Sequence, residues 1–324
     1  MNLDFDNTAI CLFVYNRPDH TRQVLSGLAK NRIPHLYIFH DGLRPGHDPS
    51  SHQKVAEVIG AIDFCKTTVA NSTANRGVDR SIILGVTHVL KTHEAVMVLE
   101  DDCVPSSTYS DYVFYCLNRF RMDRSVFSIS GYGYPGLREI EDDDVCFSPL
   151  SSSWGWATWK DRWSEFDPEN QDWKKILDDP RQKARFDLPG NLFSTLLGKQ
   201  ARGEIDVWDI LWYYTHFKNN AMCIWPTQSQ IKNIGMDGTG VHCSDTTDFD
   251  VELCETFNAA TFRIPAEHSF SHQARKVFQK NYTIPTDPAA RLDRRLIQVF
   301  RTPNKWPEMA VKLIKKLSKS DQSR

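Results

Sequence analysis

Three consecutive carboxylates, Glu100-Asp101-Asp102, close the apolar run Ala95-Val96-Met97-Val98-Leu99. Like charges this close repel one another, and leaving them unpaired costs folding energy. A divalent cation removes that cost, and hard carboxylate oxygens suit Mg2+ or Mn2+ better than zinc. The plain alternative is a solvated acidic turn. A second carboxylate, Asp209, sits in Val207-Trp208-Asp209, one turn inside an expected helix. A group there could take the proton of an attacking hydroxyl. Asp206 competes for that role, with helix capping as its simpler use. Between Asn233 and His242 lie three glycines, Gly235, Gly238 and Gly240. Glycines permit close backbone approach to phosphate, so this segment could close over a ligand. His242 is a candidate for the metal or a phosphate oxygen, and equally an ordinary histidine.

These groups need elements to hold them. Residues 8–15 (TAICLFVY) read as a buried strand running into Asn16-Arg17-Pro18, with Pro18 at the first position of a helix over 18–30. Strands over 35–40 and 95–100, an edge strand over 67–70, and helices over 51–62 and 78–90 follow in alternation. That order implies parallel pairing with crossover helices. Polar residues recur at the strand ends: Asn16-Arg17, then Asp41, then Glu100-Asp101-Asp102. In an open parallel sheet all of them lie along one edge, where ligands bind. Asp41 could accept hydrogen bonds from a base, and Arg17 or Arg80 could face a diphosphate. Their simpler roles are a turn and a solvated charge. No GxGxxG follows the first strand, and no GxxxxGK[ST] occurs, so dinucleotide and P-loop sites are disfavoured.

Further on, a helix over 109–122, strands over 125–130, 145–149 and 221–226, and a helix ending near Lys218 are expected. Residues 131–136 form a glycine- and aromatic-rich loop. Ser151-Ser152-Ser153-Trp154-Gly155-Trp156 combines small polar donors with flat aromatic faces that stack on sugar rings. Trp156, Trp159 and Trp163 have the spacing of a helical core stripe. Trp208, Leu211, Trp212 and Thr215 would share one face of the helix that carries Asp209. Residues 172–202 read as charged helix with no clear chemistry.

The 324 residues carry a net charge of −2, which gives no global attraction to nucleic acid, and no apolar run is long enough to span a membrane. The eight cysteines include no CxxC pair, and the start MNLDFDNTAICLF lacks a basic n-region. Reduced thiols and a cytoplasmic location are the expectation.

In their order, strand-Asn-Arg-Pro, strand-Asp-Gly and strand-Glu-Asp-Asp resemble the nucleotide-binding half of GT-A-fold glycosyltransferases. The likeness is strongest to the N-acetylglucosaminyltransferase I type, which carries its metal motif as Glu-Asp-Asp. Ser153-Trp154-Gly155-Trp156-Ala157-Thr158-Trp159 resembles that family's Gly-x-Gly-Trp segment, and Val207-Trp208-Asp209 its Trp-Asp motif. Cys223-Ile224-Trp225-Pro226 with residues 231–242 resembles its final strand and mobile loop. The likeness covers about residues 8–245. The acceptor-side sequence is distinct and closer to bacterial members that build surface polysaccharides.

The resemblance implies an α/β GT-A fold, a mostly parallel sheet flanked by helices with an acceptor-side subdomain. Residues 1–125 would form the nucleotide-sugar half, 126–267 the acceptor half, and 268–324 a helical extension. It implies inverting, metal-dependent transfer from a UDP-sugar, with N-acetylglucosamine as the guess, to a glycan or lipid-linked acceptor. Asp102 would bridge Mn2+ or Mg2+ to the phosphates, with Asp101 and His242 beside it. Glu100 and Asp101 would hold the metal's waters or the ribose. Asn16, Arg17, Asp41, Arg80, Trp154, Trp208 and Gly238 would line the donor, and Asp209 would be the base. A nucleotidyltransferase and a non-catalytic sugar-binding scaffold are the competing classes. Near the end, residues 306–319 (WPEMAVKLIKKLSK) are basic and amphipathic. They fit a helix on an anionic membrane surface or one docked on the protein body.

Overall fold

The computed structural model describes residues 2–169, 171–205, 207–238 and 246–285. Its elements in chain order are β1 (Thr8–Val14), α1 (Pro18–Lys30), β2 (His35–His40), α2 (Pro49–Gly60), β3 (Lys66–Asn71), α3 (Val78–Val89), β4 (Ala95–Glu100), β5 (Cys103–Pro105), α4 (Tyr109–Arg119) and β6 (Val126–Ser130). There follow β7 (Val145–Ser148), β8 (Trp156–Trp159), α5 (Lys160–Trp163), α6 (Lys174–Asp178), α7 (Pro180–Phe186), α8 (Leu192–Ala201), α9 (Trp208–Lys218), β9 (Met222–Pro226), β10 (Ile231–Asn233) and α10 (His272–Tyr282).

Eight strands make one sheet in the order β3-β2-β1-β4-β8-β6-β9-β7. β3, β2, β1 and β4 run parallel, as alternating apolar runs and helical periods require. β8 is antiparallel to both β4 and β6, β6 is parallel to β9, and β7 reverses at the far edge. This is a mostly parallel α/β sheet flanked by helices. Its two faces are both covered. Ile10, Leu12, Met97 and Leu99 pack on the side of α1, α2 and α4, while Ala9, Cys11, Val96 and Val98 face α3 and α9. Burial on both faces explains why the strand before Glu100 is apolar without alternation.

Register then sets the site. Phe13 pairs with Glu100 and Val14 with His40, so the ends of β1, β2 and β4 come level. β2 lies on one side of β1 and β4 on the other, so the strand order reverses between β1 and β4. At such a switch point the connections leave to opposite faces and a crevice opens at the carboxyl ends.

One expectation about helices fails. Trp156, Trp159 and Trp163 do not form a helical stripe. Trp156 and Trp159 lie on β8 and, three residues apart on a strand, point to opposite faces. Pairing of Trp156 with Val98 on one side and Ser130 on the other overrides the local period. Residues 172–202 are helical as expected, in three short helices. Pro180 restarts the chain at α7, with the Asp179 carboxylate accepting the Arg181 N–H at 2.8 Å, and Gly190 turns it before α8.

α10 lies within the helical extension expected over 268–324. It docks Ala274 and Phe278 into the core, with the Phe278 ring 5.0 Å from Trp225. The helix expected at 306–319, and with it the membrane contact, lies outside the described residues. Among the described residues no helix is long and apolar enough to cross a membrane.

Candidate active site

The β1–α1 turn and the end of β4 meet at the switch point. Arg17 sits just before Pro18 of α1, and its backbone is pinned. The Thr21 N–H donates to the Arg17 carbonyl at 3.0 Å and the Thr21 hydroxyl at 2.8 Å. Its guanidinium reaches across to Asp101, and to Asp102 Oδ2 at 2.9 Å. Burial works against the arginine's charge, but Asp101 and Asp102 overcome it and hold the group firmly protonated. Asp101 also accepts the Tyr15 N–H, yet burial pushes its carboxyl up against the pull of Arg17. Burial and then the charges of Asp102 and Asp101 hold Glu100 well above the usual carboxylate range. Among the described residues, one cation, paired with Asp101 and Asp102, therefore stands against three carboxylates. That surplus of negative charge is what a divalent ion would relieve.

Asp102 is enclosed by the β5–β10 ribbon. The Ile234 N–H donates to its carbonyl at 2.9 Å, and the Cys103 thiol donates to Oδ1 at 3.4 Å. A Cβ at Gly235 would overlap the Asp102 carboxylate, so only glycine lets the chain pass there. The chain then turns through Gly238 at φ +79°, while His20 Nε2 of α1 meets Asp237 Oδ2 at 3.2 Å. The start of the glycine-rich segment thus lies against the carboxylates. Its continuation, including His242, lies outside the described residues, as does Asp206. Among the described residues no three His, Cys, Asp or Glu side chains group as metal ligands. The donors present are hard oxygens of Asp101 and Asp102. Mg2+ and Mn2+ accept such a partial set when phosphates and water complete the shell.

Several expected residues are placed differently. The Asp41 carboxylate has no room for a base: it accepts the backbone N–H groups of Gly42, Arg76 and Gly77 and the Asn75 amide, all at 2.9–3.0 Å. It shapes the turn that leads into α3. Trp208 is 4% exposed and stacks on Trp156 with centroids 5.2 Å apart, so it is core beneath the cleft rather than a ligand contact. Leu211 lies in the other half of the core from Trp208 and Trp212, so the expected shared face of α9 is split. The cause is that α9 is buried nearly all round. Arg80 is exposed on the first turn of α3, and Asn16 is half-buried beside Arg17.

Asp209 lies on the first turn of α9, and its charge is close enough to raise Glu100. Burial, then the charge of Asp79, raises its own carboxyl to about 6. The N–H groups of Ile210 and of Asp209 itself and the Ser153 hydroxyl pull the other way. Asp79, on α3, accepts the Trp208 N–H at 2.8 Å and so caps α9 from a distant helix. Beside Asp209 is a cavity of about 200 Å³ lined by Ser151–Ser153, Trp154, Tyr132, Tyr213, Tyr282 and α8. The Trp154 ring stands edge-on to Tyr132 with centroids 4.7 Å apart. A larger cavity of about 380 Å³ between β3 and α3 holds none of the strand-end acids except Asp41. The sequence reading missed Asp79 and Tyr282. Asp79 reads as an ordinary first-turn acid, and nothing near it signals a partner 129 residues away.

No family model matches the chain, and no curated protein matches it by sequence. Among solved structures it is similar to a mannosyltransferase from Pyrobaculum calidifontis in complex with GDP-Man and Mn2+. That match has 15% identity and a TM-score of 0.34, and it covers 47% of this chain and 44% of that one. It is also similar to a 4-diphosphocytidyl-2C-methyl-D-erythritol synthase from Anaerococcus prevotii, at 8% identity and a TM-score of 0.35, over 68% of this chain and 86% of that one. At these scores the α/β class rests on the sheet itself, and the chemistry rests on the residues of the cleft.

Proposed function

We propose that this chain is a GT-A glycosyltransferase that moves a sugar from a nucleotide diphosphate donor to a hydroxyl acceptor with inversion. The observation that carries this reading is the meeting of two unlike acidic sites at one cleft. Glu100-Asp101-Asp102 stand at the β1/β4 switch point, and Asp209 lies within electrostatic reach of them on α9. The donor's diphosphate lies at the strand ends, near Arg17, and its sugar extends toward Trp154 and Asp209. Asp102, with Asp101, would hold Mn2+ or Mg2+, which when bound neutralises charge on the departing diphosphate. Asp209 accepts the proton of the acceptor hydroxyl as that oxygen attacks the anomeric carbon from the face opposite the leaving diphosphate. A carboxylate with its midpoint at about 6 is ionised at neutral pH yet basic enough to take the proton. The segment leaving β10 past Asp102 shields the donor from water, so transfer competes with hydrolysis. UDP is the proposed nucleotide, N-acetylglucosamine the proposed sugar, and a glycan or lipid-linked saccharide of a bacterial surface polysaccharide the proposed acceptor.

Calorimetry with a panel of nucleoside diphosphates tests the reading, with Mn2+ and with chelator, on the wild type and Asp102→Ala. The expected result is UDP binding that needs Mn2+ and falls at least about 100-fold in the variant, the size of a lost buried ionic contact. Binding to no nucleotide would sink the transferase and favour a scaffold. Tighter binding of a triphosphate than of any diphosphate would favour nucleotidyl transfer.

A further inference from the structure

We propose that Arg17 occupies the cation position of the carboxylate cluster and that a nucleoside diphosphate, rather than the metal alone, releases it. This rests on the donor-site reading above and adds an order to it: metal and diphosphate enter together. Arg17 is the only cation paired with Asp101 and Asp102 among the described residues, and it touches both. The two carboxylates are 4% and 7% exposed, so bulk water does little to screen them. The Arg17 side chain keeps 19% of its surface open. Its backbone is fixed by Pro18 and Thr21, so a change of partner is a swing of the side chain and not a movement of the loop.

A divalent ion arriving alone must approach a guanidinium that already engages Asp102 Oδ2 and Asp101. It meets both repulsion and occupied oxygens. A diphosphate changes the balance. Its oxygens offer the guanidinium the same bidentate, charge-assisted pairing that the carboxylates give. Once the guanidinium turns to phosphate, Asp101 and Asp102 are free to ligate, and the phosphates complete the metal's oxygen shell. Binding of each partner then favours the other by the same factor, as linkage requires.

The test is Mn2+ binding without nucleotide, by calorimetry or by the loss of the free-ion EPR signal, on wild type, Arg17→Gln and Arg17→Lys. Arg17→Gln should bind Mn2+ alone at least about 10-fold more tightly than wild type, a typical coupling factor. Arg17→Lys keeps the charge and should stay near wild type. Adding UDP should raise the wild-type Mn2+ affinity more than that of Arg17→Gln. Mn2+ alone should also raise the Tm of Arg17→Gln more than that of wild type. Removing Arg17 leaves buried carboxylates unpaired and could prevent folding. A second comparison, Asp101→Asn with and without Arg17→Gln, halves that burden and should show the same gain in Mn2+ affinity. Equal affinity of wild type and Arg17→Gln for Mn2+ alone would overturn the proposal, while UDP binding that persists would leave the donor-site reading standing. UDP binding of equal strength with Mn2+ and with chelator would also overturn it, because Arg17 would then be the permanent cation. If no diphosphate binds the wild type, both the reading and the proposal fall.

Discussion

Two groups of carboxylates lie within electrostatic reach of one another, and the protein treats them in opposite ways. Glu100, Asp101 and Asp102 are crowded at a strand end, and Asp101 and Asp102 are tied to a guanidinium, so the negative charge is partly neutralised by a fixed cation. Asp209 has no cation among its closest influences. It is held by N–H groups at the head of a helix and by the Ser153 hydroxyl, with Asp79 opposing it. The first arrangement stores negative charge that a cation and phosphates can use. The second leaves a carboxylate whose proton exchanges near neutral pH. The chemical difference comes from surroundings, since all four groups are simple carboxylates.

Removing the Asp209 carboxylate should have the largest effect and should leave the strand-end group intact. In Asp209→Asn, kcat should fall about 10²–10⁴-fold, the range for a lost general base. UDP binding with Mn2+ should change by less than about 3-fold, since in the proposed reaction the side chain acts only after the donor is bound. In the wild type the rate should rise with pH through about 6 and then level. Stability should move in the other sense. The folded-state value lies above the ordinary 3.8, so the folded chain holds this proton more tightly than the unfolded one. The advantage is complete below about 4 and is lost as pH rises through about 6. Asp209→Asn should therefore be more stable than wild type above pH 6, by up to about 3 kcal/mol, and should match it at acid pH. Denaturant titrations at several pH values check this. A lower Tm for Asp209→Asn at pH 8 would break the comparison, because it would make the carboxylate a structural anchor.

Gly235→Ala acts on the strand-end side alone. A Cβ there overlaps the Asp102 carboxylate, so either the carboxylate or the segment leaving β10 must shift. Forcing a methyl into a filled space costs about 1–3 kcal/mol. If that strain falls on the site, Mn2+-dependent UDP affinity should drop about 10-fold while the rate midpoint set by Asp209 stays in place. A shift of the midpoint with no loss of affinity would show that the two acidic sites are not separately tuned.

The same contrast separates what the sequence could and could not disclose. The strand-end group was legible because each part is local: an apolar run, then a polar end, repeated along a βαβ alternation that the parallel sheet confirms. Pro18 marked the start of α1 for the same reason. The second half of the chain was less legible because its partners are far apart in the chain. β8 becomes a strand only by pairing with β4 and β6 at once, and its tryptophan spacing mimicked a helix. Trp208 carries the flat face that sugars favour, but Trp156 and Trp163 pack against it in the same buried cluster as Trp212 and make it core. Asp41 failed as a nucleotide contact because three backbone N–H groups and the Asn75 amide already saturate it. No local pattern announces such a saturation.

Asp79 gives the smallest and cleanest test of how Asp209 is tuned. It does two jobs from a different helix: its Oδ1 accepts the Trp208 N–H at 2.8 Å, and its charge raises Asp209. Asp79→Asn keeps an acceptor oxygen at the head of α9 and removes the charge. The rate midpoint should then move below about 6, with little change in Tm. Asp79→Ala removes both, so the same acid shift should come with a loss of about 1 kcal/mol, the usual cost of a missing N-terminal cap. Rate–pH profiles and thermal melts on the two variants separate the jobs. Neither should alter Mn2+ binding, because Asp79 acts at the head of α9, on the Trp208 N–H and on Asp209. If Asp79→Asn left the midpoint where it is, burial alone would set the basicity of Asp209, and the protein would need only a dry helix end to make its base.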